Sequence, residues 1–133
     1  MATARDIIIS AFKKASLVAQ GQSPNASEVA DALETLNDMA ASWDARDVHT
    51  GWSAVTLDDD IVLDARHYEG LKFMLAERIL SDYGSEVPRE VSRRASDGWQ
   101  LMCGDFMAPE NLRVDVALQS MPSQRRYWTG WTG

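Results

Sequence analysis

Asn25-Ala26-Ser27-Glu28-Val29-Ala30-Asp31-Ala32-Leu33-Glu34-Thr35-Leu36-Asn37-Asp38-Met39-Ala40-Ala41-Ser42-Trp43-Asp44-Ala45 reads as one amphipathic helix, and with it the chain reads as helical. Asn25 and Glu28 form a capping box: the Asn25 side chain accepts from the third helical amide and Glu28 reaches back to the cap amide. Val29, Leu33, Leu36, Ala40 and Trp43 then recur at four- and three-residue intervals, the spacing of one helix face. Ala32 and Met39 widen that face.

Upstream, Gly21-Gln22-Ser23-Pro24 is a break. A first helix is expected over residues 4–19, capped by Thr3, with Ile8, Phe12, Ala15 and Ala19 inward and Lys13 and Lys14 in solvent. Downstream, residues 47–60 lose the helical period. Gly51 interrupts them, and Trp52, Ala54 and Thr56 alternate with Ser53, Val55 and Leu57, which predicts a short strand or hairpin ending in an Asp58-Asp59-Asp60 turn. Asp64 is the expected cap of a third helix over residues 65–83. Tyr68, Leu71, Leu75, Ile79 and Tyr83 point inward there, and Gly84 is the stop. Pro88 suits the first position of a fourth helix with Val91, Ala95, Trp99, Met102 and Phe106 as its stripe, closed by Pro109. The expected fold is all-α: an antiparallel bundle of about four helices with a short extended or hairpin insertion and an extended C-terminal arm, since short loops make neighbours antiparallel. There is no internal repeat.

The last 24 residues differ from this body. Leu112, Val114, Val116 and Leu118 alternate with Arg113, Asp115, Ala117 and Gln119, the pattern of a strand with one apolar side. A lone strand needs a partner edge or groove. Met121 follows, and then Arg125-Arg126-Tyr127-Trp128 and Trp131, residue types that dominate interface energetics. The division is therefore a helical body, residues 1–109, and an extended docking arm, residues 110–133, whose partner-binding residues are Leu112, Val114, Val116, Leu118, Met121, Arg125, Arg126, Tyr127, Trp128 and Trp131.

The chain has 133 residues, 45% of them apolar, enough for one cored domain. Its formal charge of −7 argues against broad nucleic-acid binding. Residues 1–109 carry 10 basic and 18 acidic side chains, whereas residues 110–133 carry three arginines against Glu110 and Asp115. An acidic body with a slightly basic, aromatic arm suits an acidic protein neighbour, including another copy of itself. No apolar run approaches the roughly 20 residues of a membrane span, and the N-terminus has no signal-peptide pattern. The single Cys103 rules out an internal disulfide and is compatible with a reducing compartment. Asn25-Ala26-Ser27 matches a glycosylation sequon, which the helix cap explains better.

Candidate chemistry is thin. His49 and His67 have no second ligand at helical spacing, so each is expected to be a solvated or hydrogen-bonded surface histidine. Cys103 sits beside Met102 at the core edge and reads as a small buried side chain rather than a nucleophile. Asp58, Asp59, Asp60 and Asp64 lack the glycine and glutamate of a calcium loop. Glu28 and Glu34 are poorly placed as an acid–base pair. Phosphate-loop, nucleophile-elbow and zinc-protease motifs are missing. No catalytic residue, cofactor or metal is expected. Arg89, Arg93 and Arg94 lie among Glu86, Glu90 and Asp97, as in a solvated mixed-charge face.

The pattern of Asp6-Ile7-Ile8-x-x-Ala11-x-x-Lys14, then Gln20-Gly21-Gln22-Ser23, then Leu36-Asn37-x-Met39 four residues before Trp43 resembles the head-to-tail adaptor proteins of short-tailed bacteriophages, also called tail accessory factors or head completion proteins. Residues 6–52 carry the match in letters, and the rest carries it in organisation. The resemblance implies a non-enzymatic virion protein at the head–tail interface, made in the host bacterial cytoplasm. It implies a ring of twelve copies under the portal protein, extending the DNA channel and offering a platform to a downstream tail protein. The arm would lie along the portal and the body would pack against its ring neighbours, with no membrane involved. Packaged DNA would pass without specific binding, because an acidic channel wall suppresses phosphate contacts. Two rivals come from other classes: a phage-associated cell-wall hydrolase, and a nucleic-acid-binding module stacking bases on Arg125-Arg126-Tyr127-Trp128.

Overall fold

The computed structural model describes residues 2–19 and 21–107. Those residues form four α-helices and a 3-10 turn: α1 (Ala4–Lys14), α2 (Ala26–Asp44), the turn Ala65–His67, α3 (Tyr68–Asp82) and α4 (Arg89–Phe106). The fold is an all-α bundle, as the periodicities predict. Gly70 meets Gly98 and Glu77 bonds Ser92, so α3 and α4 run antiparallel. The Ala2 amide meets the Tyr68 hydroxyl and Phe12 meets Tyr83, so α1 and α3 run the same way.

Two of the three predicted N-terminal caps, Thr3 and Asn25, form. Thr3 Oγ1 accepts from the Asp6 amide at 3.3 Å and Asp6 accepts from the Thr3 amide at 3.2 Å. Asn25 and Glu28 exchange the equivalent bonds at 2.8 and 2.9 Å. Val29, Ala32, Leu36, Met39, Ala40 and Trp43 are buried along α2, and Leu33 is half-buried at the edge of that face.

The first helix is shorter than expected, ending at Lys14 rather than at Ala19. Ser16 adopts the left-handed conformation at φ 59°. Its amide donates to the Lys13 carbonyl and that of Leu17 to the Phe12 carbonyl, the pair of bonds that closes a helix C-terminus. The same pair recurs after α2, through Asp47 at φ 64° and Val48, and after α3, through Gly84 at φ 70° and Ser85. Only the last of the three stops is a glycine, and only that one was predicted.

The expected hairpin over residues 47–60 does not form; that segment contains no strand. Asn37 replaces it. Its side chain donates to the Val55 carbonyl at 3.0 Å and accepts from the Val55 amide at 3.0 Å and from Trp52 Nε1 at 3.2 Å. Both peptide groups that a hairpin partner would have used at Val55 are thus satisfied by one side chain on α2. The chain then turns at Asp58-Asp59-Asp60, as predicted, and passes the start of α1. There the carbonyls of Asp59 and Leu57 accept from the otherwise unpaired amides of Ala4 and Arg5, both at 3.0 Å. Val48, Ile61 and Leu63 from this segment are buried.

Asp64 precedes a separate 3-10 turn rather than α3 itself, and its backbone carbonyl, not its side chain, accepts the bond. Pro88 stands one residue before α4 instead of opening it. The hub is α3. Leu71, Phe73, Met74, Leu75, Ala76, Ile79 and Leu80 are all buried, more than one stripe, because α1, α2 and α4 pack around this helix. The predicted inward residues Leu71, Leu75 and Ile79 are buried, whereas Tyr83 is 46% exposed at the helix end. Gly70 and Gly98 let α3 and α4 touch backbone to backbone. A Cβ on Gly98 would lie 2.5 Å from the Gly70 Cα, closer than any real contact. Along α4, Val91, Ala95 and Met102 are buried, with Trp99 and Phe106 half-buried. The predicted closing residue, Pro109, lies outside the described residues.

Candidate functional site

The arm singled out in the sequence lies outside the described residues. Leu112, Val114, Val116, Leu118, Met121, Arg125, Arg126, Tyr127, Trp128 and Trp131 all belong to that stretch. What the structure describes is the base from which the arm leaves. Helix α4 ends at Phe106, and Met107 turns extended, at φ −66° and ψ 145°. Met107 forms an antiparallel bridge with the buried Val48, and the His49 amide donates to the Phe106 carbonyl at 3.3 Å.

Side chains fix the same point. Asp105, in the last turn of α4, accepts from Arg66 and from His67 Nε2, the latter at 2.7 Å. The Phe106 ring packs against the His67 ring with centroids 5.4 Å apart. The hydrogen bond from Arg66, ahead of the contribution of His67, holds the Asp105 carboxyl below its ordinary range. The 3-10 turn at residues 65–67 presents both donors to Asp105 from adjacent positions, and α4 delivers Asp105 from 38 residues beyond His67.

This placement corrects the reading of His67 as a surface residue. It is 2% exposed, and its Nδ1 has no hydrogen-bond partner in the described structure. The 3-10 turn rotates the ring toward α4, whereas a continuous helix from Ala65 would aim it differently. His49 is exposed, with Nδ1 3.3 Å from Asp44, as expected. Cys103 is half-buried; burial pushes its thiol up and the Arg46 charge pulls it down, burial dominating. Among the described residues no group of three or more His, Cys, Asp or Glu is placed to hold a metal ion. These contacts fix the end of α4 and Met107 against the 3-10 turn and Val48.

Of the arginines of α4, Arg93 and Arg94 are held by carboxylates of their own helix and its neighbour, whereas Arg89 is in no ion pair among the described residues. Arg93 bonds Glu90 at 2.7 Å and Asp97 at 3.4 Å, and Arg94 bonds Glu90 at 2.6 Å with Glu69 at 3.9 Å. These contacts lower the Glu90 pKa, the Arg93 hydrogen bond first, and raise that of Arg93. This is the mixed-charge face read from the sequence.

The residues that carry the family resemblance have defined places. Ile7, Ile8 and Ala11 are buried in α1, Asp6 completes the Thr3 box, and Lys14 Nζ lies 5.1 Å from the Phe73 ring centroid. Leu36, Met39 and Trp43 are buried, and Asn37 is the clamp just described. Sequence reasoning passed over Asn37, Gly70, Gly98 and the His67–Asp105 pair. A poor helix former in mid-helix was the available signal for Asn37; nothing local could pair His67 with Asp105. No protein-family model matches the chain, and no curated protein matches it. No helix among the described residues is long and apolar enough to cross a membrane.

Proposed function

We propose that this protein is a structural head-to-tail adaptor of a short-tailed bacteriophage. Copies of it form a ring, twelve by the resemblance, on the portal at the head–tail interface. The ring extends the DNA channel and provides a platform for the tail protein below. Leu112, Val114, Val116 and Leu118 add an edge or fill a groove on the portal. Met121, Arg125, Arg126, Tyr127, Trp128 and Trp131 anchor the end of the arm on a partner surface. One fully buried large aromatic contributes roughly 1.5–3 kcal/mol, and repetition around a ring makes weak single contacts stable.

The observation that carries this reading is the Asn37 clamp. The Leu36-Asn37-x-Met39…Trp43 motif is the segment that both fills the core and pins residues 52–55 to α2. The resemblance therefore rests on an interlocking set rather than on isolated letters. The pinned arm base and the acidic body with its basic arm support it further.

Deletion of residues 110–133 tests the reading. The Val48–Met107 bridge and the Asp105 contacts stay in place, so the truncated chain is expected to keep its helical circular dichroism while losing binding to its phage's portal. Unchanged portal binding by the truncated chain would sink the arm-docking reading.

A further inference from the structure

The cleft between the first half of α2 and the end of α3 has no role in the arm base. It encloses about 290 Å³. Its floor is apolar, built by Phe12, Ala32 and Ile79, and Tyr83 stands at its side. Its rim is acidic, with Glu28, Asp31 and Glu34 from α2 and Asp82 from α3. Asp38 continues the rim into the adjoining hollow, beside Thr35 and Arg78. The polar contacts are internal. The Tyr83 hydroxyl donates to Glu28 at 3.2 Å, and the Thr35 hydroxyl donates to Asp82 at 3.3 Å. Among the described residues none of these five carboxylates is in an ion pair. Carboxylates three and four residues apart on one helix repel each other. The face is thus left with like charges met by two hydroxyl donors and by no ion pair among the described residues, over an apolar floor.

We propose that this cleft docks the Arg125-Arg126-Tyr127-Trp128 segment of a neighbouring copy of the chain. Charge complementarity selects it. Residues 116–133 carry two arginines and no acidic side chain, and the rim sets five carboxylates, none in an ion pair among the described residues, beside Arg78 alone. Arginine forks match carboxylates in bidentate geometry, and an adjacent aromatic ring has the exposed face of Tyr83 to lie on. Chain length permits it. The arm leaves beside His67, at the start of α3, and the cleft lies at the end of α3. Seventeen residues separate Met107 from Arg125, enough to span about 55 Å when extended. The apolar face of Leu112–Leu118 needs cover of its own along that path, which takes the arm off its own body and onto a partner. A tail-into-cleft contact is head-to-tail, the kind that closes into a ring when the rotation allows. The inference rests on the ring-forming part of the proposed function and on nothing about the portal.

Sedimentation velocity on the full-length protein tests it, across a concentration series at low and high salt. Wild type associates in a concentration-dependent, salt-weakened way. Arg125→Glu with Arg126→Glu weakens association at least about tenfold, as does Asp31→Lys with Glu34→Lys, since charge-assisted contacts turn repulsive. The chain carrying all four reversals regains association, which a folding defect would not produce. Circular dichroism verifies that each variant stays helical. A wild type that remains monomeric overturns the proposal, as do reversals without effect or a four-fold variant that is not rescued. Self-association of this kind without portal binding removes the head–tail reading and keeps the cleft. Portal binding indifferent to these reversals, by a chain that does not self-associate through them, does the opposite.

Discussion

The outer faces of α4 and α2 are both densely charged, and they are finished to different degrees. On α4, Glu90 holds Arg93 and Arg94, Asp97 adds a second contact to Arg93, and Glu69 reaches across from α3. On α2, Glu28, Asp31, Glu34 and Asp38 face outward with no cation paired to them among the described residues. On the first face Arg93 and Arg94 are paired within the protomer. On the second no carboxylate is paired, and the proposed tail contact would supply the cations. Charge density alone therefore does not mark a contact surface; the pairing state does.

Only the Arg94–Glu69 contact of the α4 face reaches α3, and breaking the α3–α4 packing has the largest expected effect. Gly98→Ala places a methyl group 2.5 Å from the Gly70 Cα, so the helices must separate and Arg94 must leave Glu69. We expect a loss of about 3 kcal/mol, the upper part of the overpacking range, read from urea unfolding. An unchanged midpoint would mean that α4 is not held where its ion pairs require. Asn37→Ala comes next. It strips the partners from both Val55 peptide groups and from Trp52 Nε1 on the inner side of α2. A loss of about 2 kcal/mol is expected, with a marked change in tryptophan fluorescence. A neutral result would separate the motif from the architecture.

The arm base contributes a pH dependence. The folded Asp105 carboxyl is held below the ordinary carboxylate range by Arg66 and then His67. A depressed carboxylate stabilises the fold above its unfolded-state pKa, and this contribution is lost as pH falls through the folded value. Between neutral pH and pH 4 the contribution is present; below pH 4 it declines. Asp105→Asn should therefore lower the urea midpoint at pH 7, with the gap to wild type narrowing in acid. A gap that does not vary with pH would exclude the ionic contact as its source.

The smallest effect sharpens the contrast between the two faces through its sign. Asp31→Asn relieves repulsion with Glu28 and Glu34, and should raise monomer stability by about 0.2–0.5 kcal/mol. Arg93→Ala on α4 should lower it. Thermal melts at low salt, where exposed charges are least screened, would show whether the two shifts oppose each other. Shifts of equal sign would erase the distinction.

What was legible in the sequence tracks what is local. The Asn25–Glu28 box, the Thr3 cap and the Gly84 stop each sit within about one turn of chain, where residue identity fixes hydrogen bonding, and the α2 stripe repeats within a single element. The stops at Ser16 and Asp47 use the same backbone bonds as Gly84 without its glycine, so the first helix was read five residues too long. The hairpin failed for a nonlocal reason: alternation at residues 52–57 suggested a strand partner, and a side chain 18 residues upstream took that place. The burial of His67 and the Gly70–Gly98 contact also arise only when distant segments meet. At the candidate site, the arm residues stood out through composition and alternation, whereas its base and the acidic cleft needed the fold.

Electron cryo-microscopy of this protein mixed with its own phage's portal, or of the intact particle, would be the most direct measurement. The account predicts a ring of copies beneath the portal, with Leu112–Leu118 laid against it and the Arg125–Trp128 end in the α2–α3 cleft of the next copy. A protein that stays monomeric and off the portal would contradict it.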